Sequence, residues 1–395
     1  MSDVTELKDP RDRRGSAGHD SSEYGSSDHG SSEPGAHSLS EILSQAQYWE
    51  ACLTELAHSK TLKEVEARFG HSPEWLFIGC GSSYYVALAA AATMKSIAGR
   101  RALAIPASEL LLYPELVFSA APCVPVLISR SGQTSEVLKA AEILRDRNVP
   151  SLAISCARGQ LLETLATVTV TVPADEQSTV MTRSFTSMLL ALQFLAGRIS
   201  GDARYCSDLL SMPALTQPAL NALPDRIRDF VATHTFTNYV CLGQGPFYGL
   251  ACEYGLKVME MSISSSQVFH SLEFRHGPKS VVTPSTLLIF LLSEHGYDAE
   301  CDLLEEMKSL GGTTMVIANQ ANTRARAAAD LLIELQLPLP ELGRLAPCVV
   351  PGQLLALHTG LKKGLNPDSP RYLSRSVILE NDGTNKPSKK PEPVA

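Results

Sequence analysis

Short apolar runs alternate with helical patterns over most of the chain, starting near residue 75. In the first half these runs fall at 75–78, 102–106, 124–128, 151–154 and 168–172. Runs of this length and composition are typical of buried parallel strands, whereas the segments between them carry apolar residues at helical spacing. The alternation of strands and helices predicts an α/β fold with a doubly wound parallel sheet.

Helical patterns lie on both sides of this alternation. An amphipathic helix is expected from Ser38, with Ser38 or Ser40 as its cap, and a second helix over about 62–68. A long helix over about 182–199 closes the first unit, and a helical stretch with several prolines follows it. Residues 1–37 contain few aliphatic side chains, so we expect them to form a disordered tail.

The second half of the chain repeats the first at a constant offset of 164 residues. The residues that this offset matches include Gly79 and Gly243, Gly81 and Gly245, Ser129 and Ser293, and Glu136 and Glu300. A register held over several strands predicts an internal duplication of one α/β domain. Two similar open sheets without common origin are the alternative.

This organisation predicts six segments. They are a polar tail at 1–37, N-terminal helices at 38–70, a first domain at 71–205, a helical connector at 206–225, a second domain at 226–380 and a polar C-terminal tail at 381–395.

Composition narrows the class of protein. The net charge is −8 and no helix or terminus carries a basic stripe, so nucleic-acid binding is not expected. The N-terminus lacks an apolar signal core and no apolar run approaches a membrane span, which favours a cytoplasmic protein without membrane contact. The nine cysteines lie far apart without CxxC pairs or metal-ligand spacing, so we expect free thiols and no metal site.

The loop after the apolar run at 124–128 is the first candidate for chemistry. Its sequence, Ser129-Arg-Ser-Gly-Gln-Thr134, places short hydroxyls around a glycine directly before a helical pattern. Free backbone N–H groups and the helix dipole at such a position favour a bound phosphate. The alternative is an ordinary helix N-cap, because Ser, Gly and Thr are common there.

The matching loop of the second half has a different character. It reads Ser293-Glu-His-Gly-Tyr-Asp298. The carboxylates of Glu294 and Asp298 would repel a phosphate. The sequence therefore predicts an anion site in the first half only.

A charged cluster distinguishes the second half. Lys257 and Glu260 are three residues apart and share one face of a predicted helix, and His276 lies just before a predicted helix start. A surface ion pair and a capping histidine are one interpretation. With an anion site elsewhere in the chain, a carboxylate beside a lysine and a titratable imidazole also fit proton transfer on a phosphorylated molecule.

These motifs resemble the tandem sugar isomerase (SIS) domain family, over roughly residues 40–380. The chain is similar to the isomerase half of glucosamine-6-phosphate synthase, and it looks closest to the AgaS-type sugar-phosphate isomerase/deaminase branch at 181–186 and 274–280. The resemblance implies two flavodoxin-like units with ligands at the carboxyl ends of the strands. The motifs that carry it are Gly79-Cys-Gly-Ser-Ser83, Ile128-Ser-Arg-Ser-Gly-Gln-Thr134, Leu256-Lys-Val-Met-Glu260, Glu273-Phe-Arg-His-Gly-Pro278 and Asn366-Pro-Asp-Ser-Pro-Arg371.

The resemblance also implies roles for individual residues. Glu260 would move a proton between C1 and C2 of the sugar, and Lys257 would set its charge state. His276 would assist ring opening and would reach the site of the neighbouring subunit in a homodimer. The implied substrate-binding residues are Cys80, Gly81, Ser82, Ser83, Ser129, Arg130, Ser131, Thr134, Thr182 and Arg375.

The chain departs from the synthase at three points. It begins Met1-Ser2 and its first cysteine is Cys52, so a terminal cysteine nucleophile and glutamine-dependent synthesis are not expected. The family lysine that meets the sugar carbonyl appears as Arg375, which can polarise a carbonyl but does not readily form an imine. The loop at 179–182 also differs at a ligand-facing position, so only a Thr182 contact is carried over.

The resulting hypothesis is a cofactor-free hexose- or hexosamine-6-phosphate isomerase that releases ammonia from a 2-amino sugar. One alternative is a non-catalytic sugar-phosphate sensor, which needs the phosphate loop but not Lys257, Glu260 and His276. Another is a fructosamine-6-phosphate deglycase, which uses the same machinery. The sequence does not distinguish sugar epimers.

Overall fold

The computed structural model describes residues 33–118 and 123–379. The polar tail predicted over 1–37 lies outside these residues except for 33–37. The C-terminal tail predicted over 381–395 lies outside them entirely.

Within residues 33–118, three helices precede the first strand: α1 (Ala36–Leu43), α2 (Gln45–His58) and α3 (Lys60–Phe69). The predicted single helix from Ser38 is wrong, because the helix breaks at Ser44, whose hydroxyl donates to the Ser40 carbonyl at 2.7 Å. The predicted serine caps are also wrong. The helix begins at Ala36, and the Ser38 amide donates to the Asp368 carboxylate at 2.7 Å, across 330 residues of chain.

The first sheet has five parallel strands, in the order β2-β1-β3-β4-β5. Its strands are β1 (Glu74–Gly79), β2 (Arg101–Pro106), β3 (Cys123–Ser129), β4 (Leu152–Ser155) and β5 (Val168–Thr171). The helices of this half are α4 (Ser82–Ala98), α5 (Ala107–Leu112), α6 (Pro114–Val117), α7 (Ser135–Asp146), α8 (Leu161–Leu165) and α9 (Arg183–Ser200). This strand order is that of flavodoxin-like folds, so the predicted doubly wound sheet is confirmed.

One long helix, α10 (Ala203–Thr233), joins the two sheets and contains the predicted connector. It includes Pro213, Pro218 and Pro224. Each proline removes a backbone donor and normally kinks or ends a helix. Packing on α2, on α9 and on the last helix of the second half holds the segment helical despite them.

The second sheet repeats the order as β7-β6-β8-β9-β10. Its strands are β6 (Asn238–Gly243), β7 (Ser266–His270), β8 (Thr286–Leu291), β9 (Thr313–Ala318) and β10 (Leu331–Glu334). The helices are α11 (Phe247–Ser262), α12 (Tyr297–Ser309), α13 (Thr323–Ala328) and α14 (Leu345–Lys362), with 3₁₀ helices at Ser271–Arg275, Pro278–Val281 and Glu341–Arg344.

The offset of 164 residues carries β1 onto β6 without a change of bounds. Gly81 and Gly245, which it also matches, have φ of 53° and 56°. Such φ values suit glycine, and they let each first strand turn directly into its helix. The predicted duplication of one α/β unit is therefore confirmed.

The inner faces of both sheets share one apolar core, which α4, α9, α11 and α14 fill. Helices α4 and α11 pass very close to each other, because a Cβ added at Gly249 would lie 2.7 Å from the Tyr85 carbonyl oxygen. This contact brings residues of α11 to the binding edge of the first sheet. Within the described parts of the chain, no helix has both the length and the apolar character needed to cross a bilayer.

Candidate functional site

A cleft lies at the carboxyl ends of the first sheet, where folds of this type bind ligands. Its walls combine loops of the first half with Glu260 of α11 and the segment after α14. The lining residues are Cys80, Gly81, Ser82, Ser83, Arg130, Ser131, Thr134, Thr179, Met181, Glu260 and 373–377. Most of the predicted site residues therefore lie in one cleft, and those outside its lining are Ser129, Thr182, Lys257 and His276.

The loop 129–134 has the shape expected of an anion site. Gly132 takes a φ of 64°, and its amide donates to the Ser129 hydroxyl at 3.2 Å. Ser129 is buried and also lies 3.2 Å from the Thr134 hydroxyl, so it shapes the loop from inside. The Ser131 and Thr134 side chains line the cleft at the start of α7, where backbone N–H groups and the helix dipole favour an anion.

The loop between β1 and α4 forms the opposite wall. Ser82 contributes its hydroxyl, which donates to the Glu253 carboxylate at 3.2 Å. Burial, and secondarily the Glu136 carboxylate, raises the pKa of the Cys80 thiol to about 11. Cys80 is therefore a neutral wall of the cleft and not a thiolate nucleophile.

Lys257 and Glu260 form the predicted ion pair on α11. The Lys257 side chain is buried, whereas that of Glu260 is 15% exposed and faces the cleft. Burial lowers the pKa of Lys257, but the carboxylates of Glu253 and Glu260 outweigh it and the pKa lies above its usual value. The pair is thus a charged lysine holding a partly accessible carboxylate at the cleft wall.

Glu253 is a site residue that the sequence reasoning missed. Its carboxylate is fully buried, and one oxygen lies 3.4 Å from the Lys257 ammonium while the other has no partner. Burial raises the pKa of Glu253 to about 7 against the opposing effect of Lys257. Its spacing of four residues from Lys257 and seven from Glu260 places all three on one helical face, which is a signal that the sequence contained.

Arg130 lies at the cleft but its guanidinium is already engaged. It donates to Glu176 at 3.1 Å and to the carbonyls of Thr179 and Arg375 at 2.9 and 2.8 Å. The side chain is 10% exposed. In this geometry Arg130 joins protein segments, and its predicted contact with phosphate stays a prediction.

Thr182 is fully buried, so the predicted side-chain contact with a ligand is not what the structure shows. Its hydroxyl lies 3.1 Å from Glu176 and 3.2 Å from Glu41. These two buried carboxylates also accept backbone amides of the loop after β5 and fix its course. Thr179 and Met181 of that loop are the residues that reach the cleft.

The segment around His276 lies away from the cleft of its own chain. His276 is exposed and follows the 3₁₀ helix Ser271–Arg275. Its charged neighbours Arg275 and Lys279 both donate to Glu306, at 2.8 and 2.7 Å. Those two cations are paired with Glu306, whereas the side chains of Glu273 and His276 are exposed.

Arg375 lies in the segment that crosses the cleft mouth. Its guanidinium donates to the Glu176 carbonyl, and its own carbonyl accepts from Arg130. The side chain is mainly exposed and lines the cleft.

A second cleft lies at the matching edge of the second sheet. There the carboxylate of Glu300 accepts from the Ser293 amide at 2.7 Å and from the Ser293 hydroxyl at 2.9 Å, so a side chain of the protein fills the loop. Glu294 is ion-paired with Arg344. A carboxylate of the protein thus occupies this loop, and the anion site in the first half only stays a prediction. The lining residues include Ser96, Gln244, Gly245, Pro246, Ser293, Glu294, His295, Gly296 and Glu341.

The remaining candidate groups give no further site. All nine cysteines are free thiols. Among residues 33–118 and 123–379, no cluster of three His, Cys, Asp or Glu side chains is arranged to hold a metal ion.

Comparison with known proteins gives a consistent picture. A family model described as the SIS domain matches residues 71–198 and 238–355. The chain is 30% identical over 334 residues to the isomerizing glutamine–fructose-6-phosphate aminotransferase of Neisseria meningitidis serogroup B, which covers 80% of this chain and 53% of that protein. The chain spans about half the length of the curated relatives it matches.

Two solved structures extend the comparison. Glucosamine-6-phosphate deaminase from Thermotoga maritima matches with a TM-score of 0.69 and 27% identity, over 87% of this chain and 100% of that one. Tagatose-6-phosphate ketose/aldose isomerase from Escherichia coli matches with a TM-score of 0.78 over 89% and 98% of the two chains. At 23% identity the second likeness is one of fold.

Proposed function

The chain belongs to the SIS domain family, and on that premise we propose that it is a sugar-phosphate isomerase that acts without a cofactor. The proposed reaction interconverts aldose and ketose 6-phosphates at C1 and C2. With a 2-amino sugar 6-phosphate, ammonia is released as well. One observation carries the proposal: the Ser131 and Thr134 loop of the first half and Glu260 of the second half line one cleft, and the buried Lys257 pairs with Glu260 behind its wall.

Phosphate binding is the first step. Ser131 and Thr134 offer hydroxyls at the N-terminus of α7, and Ser129 holds their loop in shape. The sugar then extends along Cys80, Gly81, Ser82 and Ser83 towards Glu260. The contacts of Ser131 and Thr134 act on the phosphate, which does not react, so they stabilise the bound substrate and the transition state equally.

Proton transfer is the chemical step. Glu260 takes the C2 proton of the open-chain sugar and delivers it to C1, while the hydrogen of O2 passes to O1, through an enediol. Lys257 holds the Glu260 carboxylate at the cleft wall, and it is shared between Glu260 and the buried Glu253. General acid–base catalysis requires such a carboxylate within reach of the substrate carbon.

A 2-amino substrate follows the same path to an enolamine. Proton return to C1 leaves an imine at C2, water adds to that carbon and ammonia departs, giving the ketose phosphate. Arg375 at the cleft mouth is placed to polarise the carbonyl oxygen. The relatives whose names include isomerase and deaminase support this pair of outcomes.

The decisive test is an assay of ammonia release over a panel of 6-phosphorylated amino sugars, including fructosamine 6-phosphate. A parallel assay follows isomerisation of the corresponding neutral sugar phosphates. Ammonia and ketose from one amino sugar support the full proposal. Ketose without ammonia reduces it to an isomerase, and tight binding without any turnover identifies a sensor and overturns it.

His276 enters the proposal through a second copy of the chain. It is exposed and outside the lining of its own cleft, so we assign ring opening to His276 of a neighbouring subunit in a homodimer. Mixing inactive His276→Ala and Glu260→Gln proteins should restore about a quarter of the wild-type activity, because half of the dimers then hold one intact site. No recovery after subunit exchange would show that His276 does not act in the site of a neighbouring subunit.

A further inference from the structure

We propose that Arg130 is a positioning residue that fastens the C-terminal segment 373–379 across the mouth of the cleft. It is not a ligand of the sugar phosphate in this inference. The inference rests on the proposed function where it treats the cleft as the substrate site. The contacts that Arg130 makes with the segment belong to the folded chain and do not depend on that function.

The guanidinium of Arg130 has little donor capacity left for a ligand. Its Nη1 donates to Glu176 Oε2 at 3.1 Å and to the Val180 carbonyl at 3.2 Å, and its Nη2 donates to the carbonyls of Thr179 and Arg375 at 2.9 and 2.8 Å. Four of its five N–H groups are therefore used. A phosphate would have to displace these bonds and leave the 1% exposed Glu176 side chain without its cation.

The four bonds join three segments that are far apart in sequence. Arg130 itself lies in the phosphate loop, Thr179 and Val180 in the loop after β5, and Arg375 in the C-terminal segment. The Arg375 guanidinium returns a bond to the Glu176 carbonyl. The planar fork of arginine suits this task, because an ammonium offers one point of charge and cannot reach acceptors on two sides.

Ser135 provides a second attachment from the same loop. Its amide donates to the Val377 carbonyl at 3.1 Å, and its hydroxyl accepts from the Leu379 amide at 2.8 Å. Residues 373–377 form one wall of the cleft. The segment is therefore attached both to Arg130 and to the start of α7, which directly follows the loop 129–134.

The second half of the chain supplies an independent argument. At the position that matches Arg130 it has Glu294, which pairs with Arg344 from the loop after β10. Both halves thus place an ion pair between the loops after their third and fifth strands, with the signs exchanged. A role in joining loops explains a residue of either sign at this position, whereas a role in binding phosphate does not.

The test is hydrogen–deuterium exchange of the full-length protein, read at the amides of 373–379. Arg130→Lys and Arg130→Gln are compared with Arg145→Gln, an exposed arginine of α7 paired with its neighbour Asp146. We expect both Arg130 variants to exchange at least tenfold faster in this segment, and Arg145→Gln to match the wild type. Exchange at β3 and β4 serves as the measure of an intact fold.

Kinetics with the sugar phosphate that the wild type turns over provide the second arm. Lysine keeps the positive charge that would bind a phosphate but lacks the planar fork of arginine. Arg130→Lys should therefore lower kcat at least tenfold and should be no more active than Arg130→Gln. If Arg130→Lys keeps slow exchange and raises only KM, the positioning role is wrong and Arg130 binds phosphate. If no sugar phosphate is turned over, the exchange arm still decides the fastening.

Ser135→Ala covers the case in which Arg130→Gln fails to fold. It leaves the ion pair intact and removes only the hydroxyl that accepts from Leu379. Faster exchange confined to the end of the segment supports the attachment to the loop. Unchanged exchange in both Ser135→Ala and the folded Arg130→Lys would overturn the proposal.

Discussion

The loop after the third strand has opposite chemistry in the two halves of the molecule. In the first half Ser131 and Thr134 present hydroxyls to a cleft. In the second half the matching loop carries Glu294 and His295, and Glu300 fills it from within. In both loops the glycine amide donates to the serine hydroxyl, but Gly132 has a φ of 64° and Gly296 a φ of −100°. The two loops therefore differ in backbone conformation as well as in their side chains.

The helices after the first strands show the reverse asymmetry. Helix α11 presents Glu253, Lys257 and Glu260 on one face, whereas the matching positions of α4 are Ala89, Thr93 and Ser96. Each cleft takes its loop from one half and a helix residue from the other, Glu260 in the first cleft and Ser96 in the second. The loop and the helix that meet in the first cleft therefore belong to different copies of the duplicated unit.

The largest effect is expected at Glu260. Glu260→Gln should lower kcat by roughly a thousandfold and leave KM nearly unchanged, since it removes the proton carrier and no binding contact. Ser96→Ala at the matching position is the control and should retain full activity. Full activity of the Glu260 variant would contradict the assignment of the chemistry to α11.

The next effect concerns the free energy of unfolding as a function of pH. Burial raises the pKa of Glu253 from 4.5 to about 7 in the folded protein. Between these values the folded chain keeps a proton that the unfolded chain releases, so stability falls as pH rises, by about 3 kcal/mol in total.

Glu253→Gln removes this titration and should gain stability relative to the wild type between pH 5 and pH 8. Urea unfolding of both proteins at the two pH values measures the difference. Glu64→Gln on the exposed face of α3 is the control. Parallel pH dependence of the wild type and the Glu253 variant would show that the buried carboxylate does not titrate in this range.

The two loops can also be compared by the free energy of unfolding that is lost when Glu300, or its matching residue Glu136, is replaced by alanine. Glu300→Ala should cost about 2 kcal/mol, because it leaves the Ser293 amide and the hydroxyls of Ser293 and Ser271 unpaired in a buried site. Glu136→Ala should cost less than about 0.5 kcal/mol, since one of its carboxylate oxygens has no partner. Thermal unfolding of the two variants measures both losses. Equal losses would mean that Glu300 does not stabilise its loop more than Glu136 stabilises the matching loop.

The smallest effect is expected from the phosphate loop itself. Ser131→Ala should raise KM roughly tenfold without a change in kcat, because one hydrogen bond to a charged, non-reacting group is lost. His295→Ala, at the matching position of the second half, should leave both constants unchanged. A fall in kcat without a change in KM would indicate that Ser131 takes part in the chemical step and not in substrate binding.

The order of the elements was predictable from residues that are close in sequence. The apolar runs of the strands and the constant offset between Gly79 and Gly243 predicted both sheets, and the strand order confirms them. The resemblance to the SIS family is confirmed by the matching family model. The Lys257–Glu260 pair also followed from local spacing, because residues three apart share a helix face.

Long-range partners were not predictable in the same way. The cap of α1 comes from Asp368, and the break at Ser44 replaces a continuous helix. Thr182 turned inward because the buried carboxylates of Glu41 and Glu176 compete for its hydroxyl. The homodimer and the place of His276 in it remain predictions.

The sequence by itself determined the two repeats, the succession of strands and helices along the chain and the identity of the residues that differ between the repeats, since hydrophobic periodicity and internal register are local properties. Only the tertiary structure decided which of those residues meet. The close packing of α4 on α11 carries Glu260 to the loop of the other half, and it buries Glu253 beside Lys257. The tertiary structure also makes Arg130 a contact between loops, because acceptors from two segments, the loop after β5 and the C-terminal segment, surround its guanidinium.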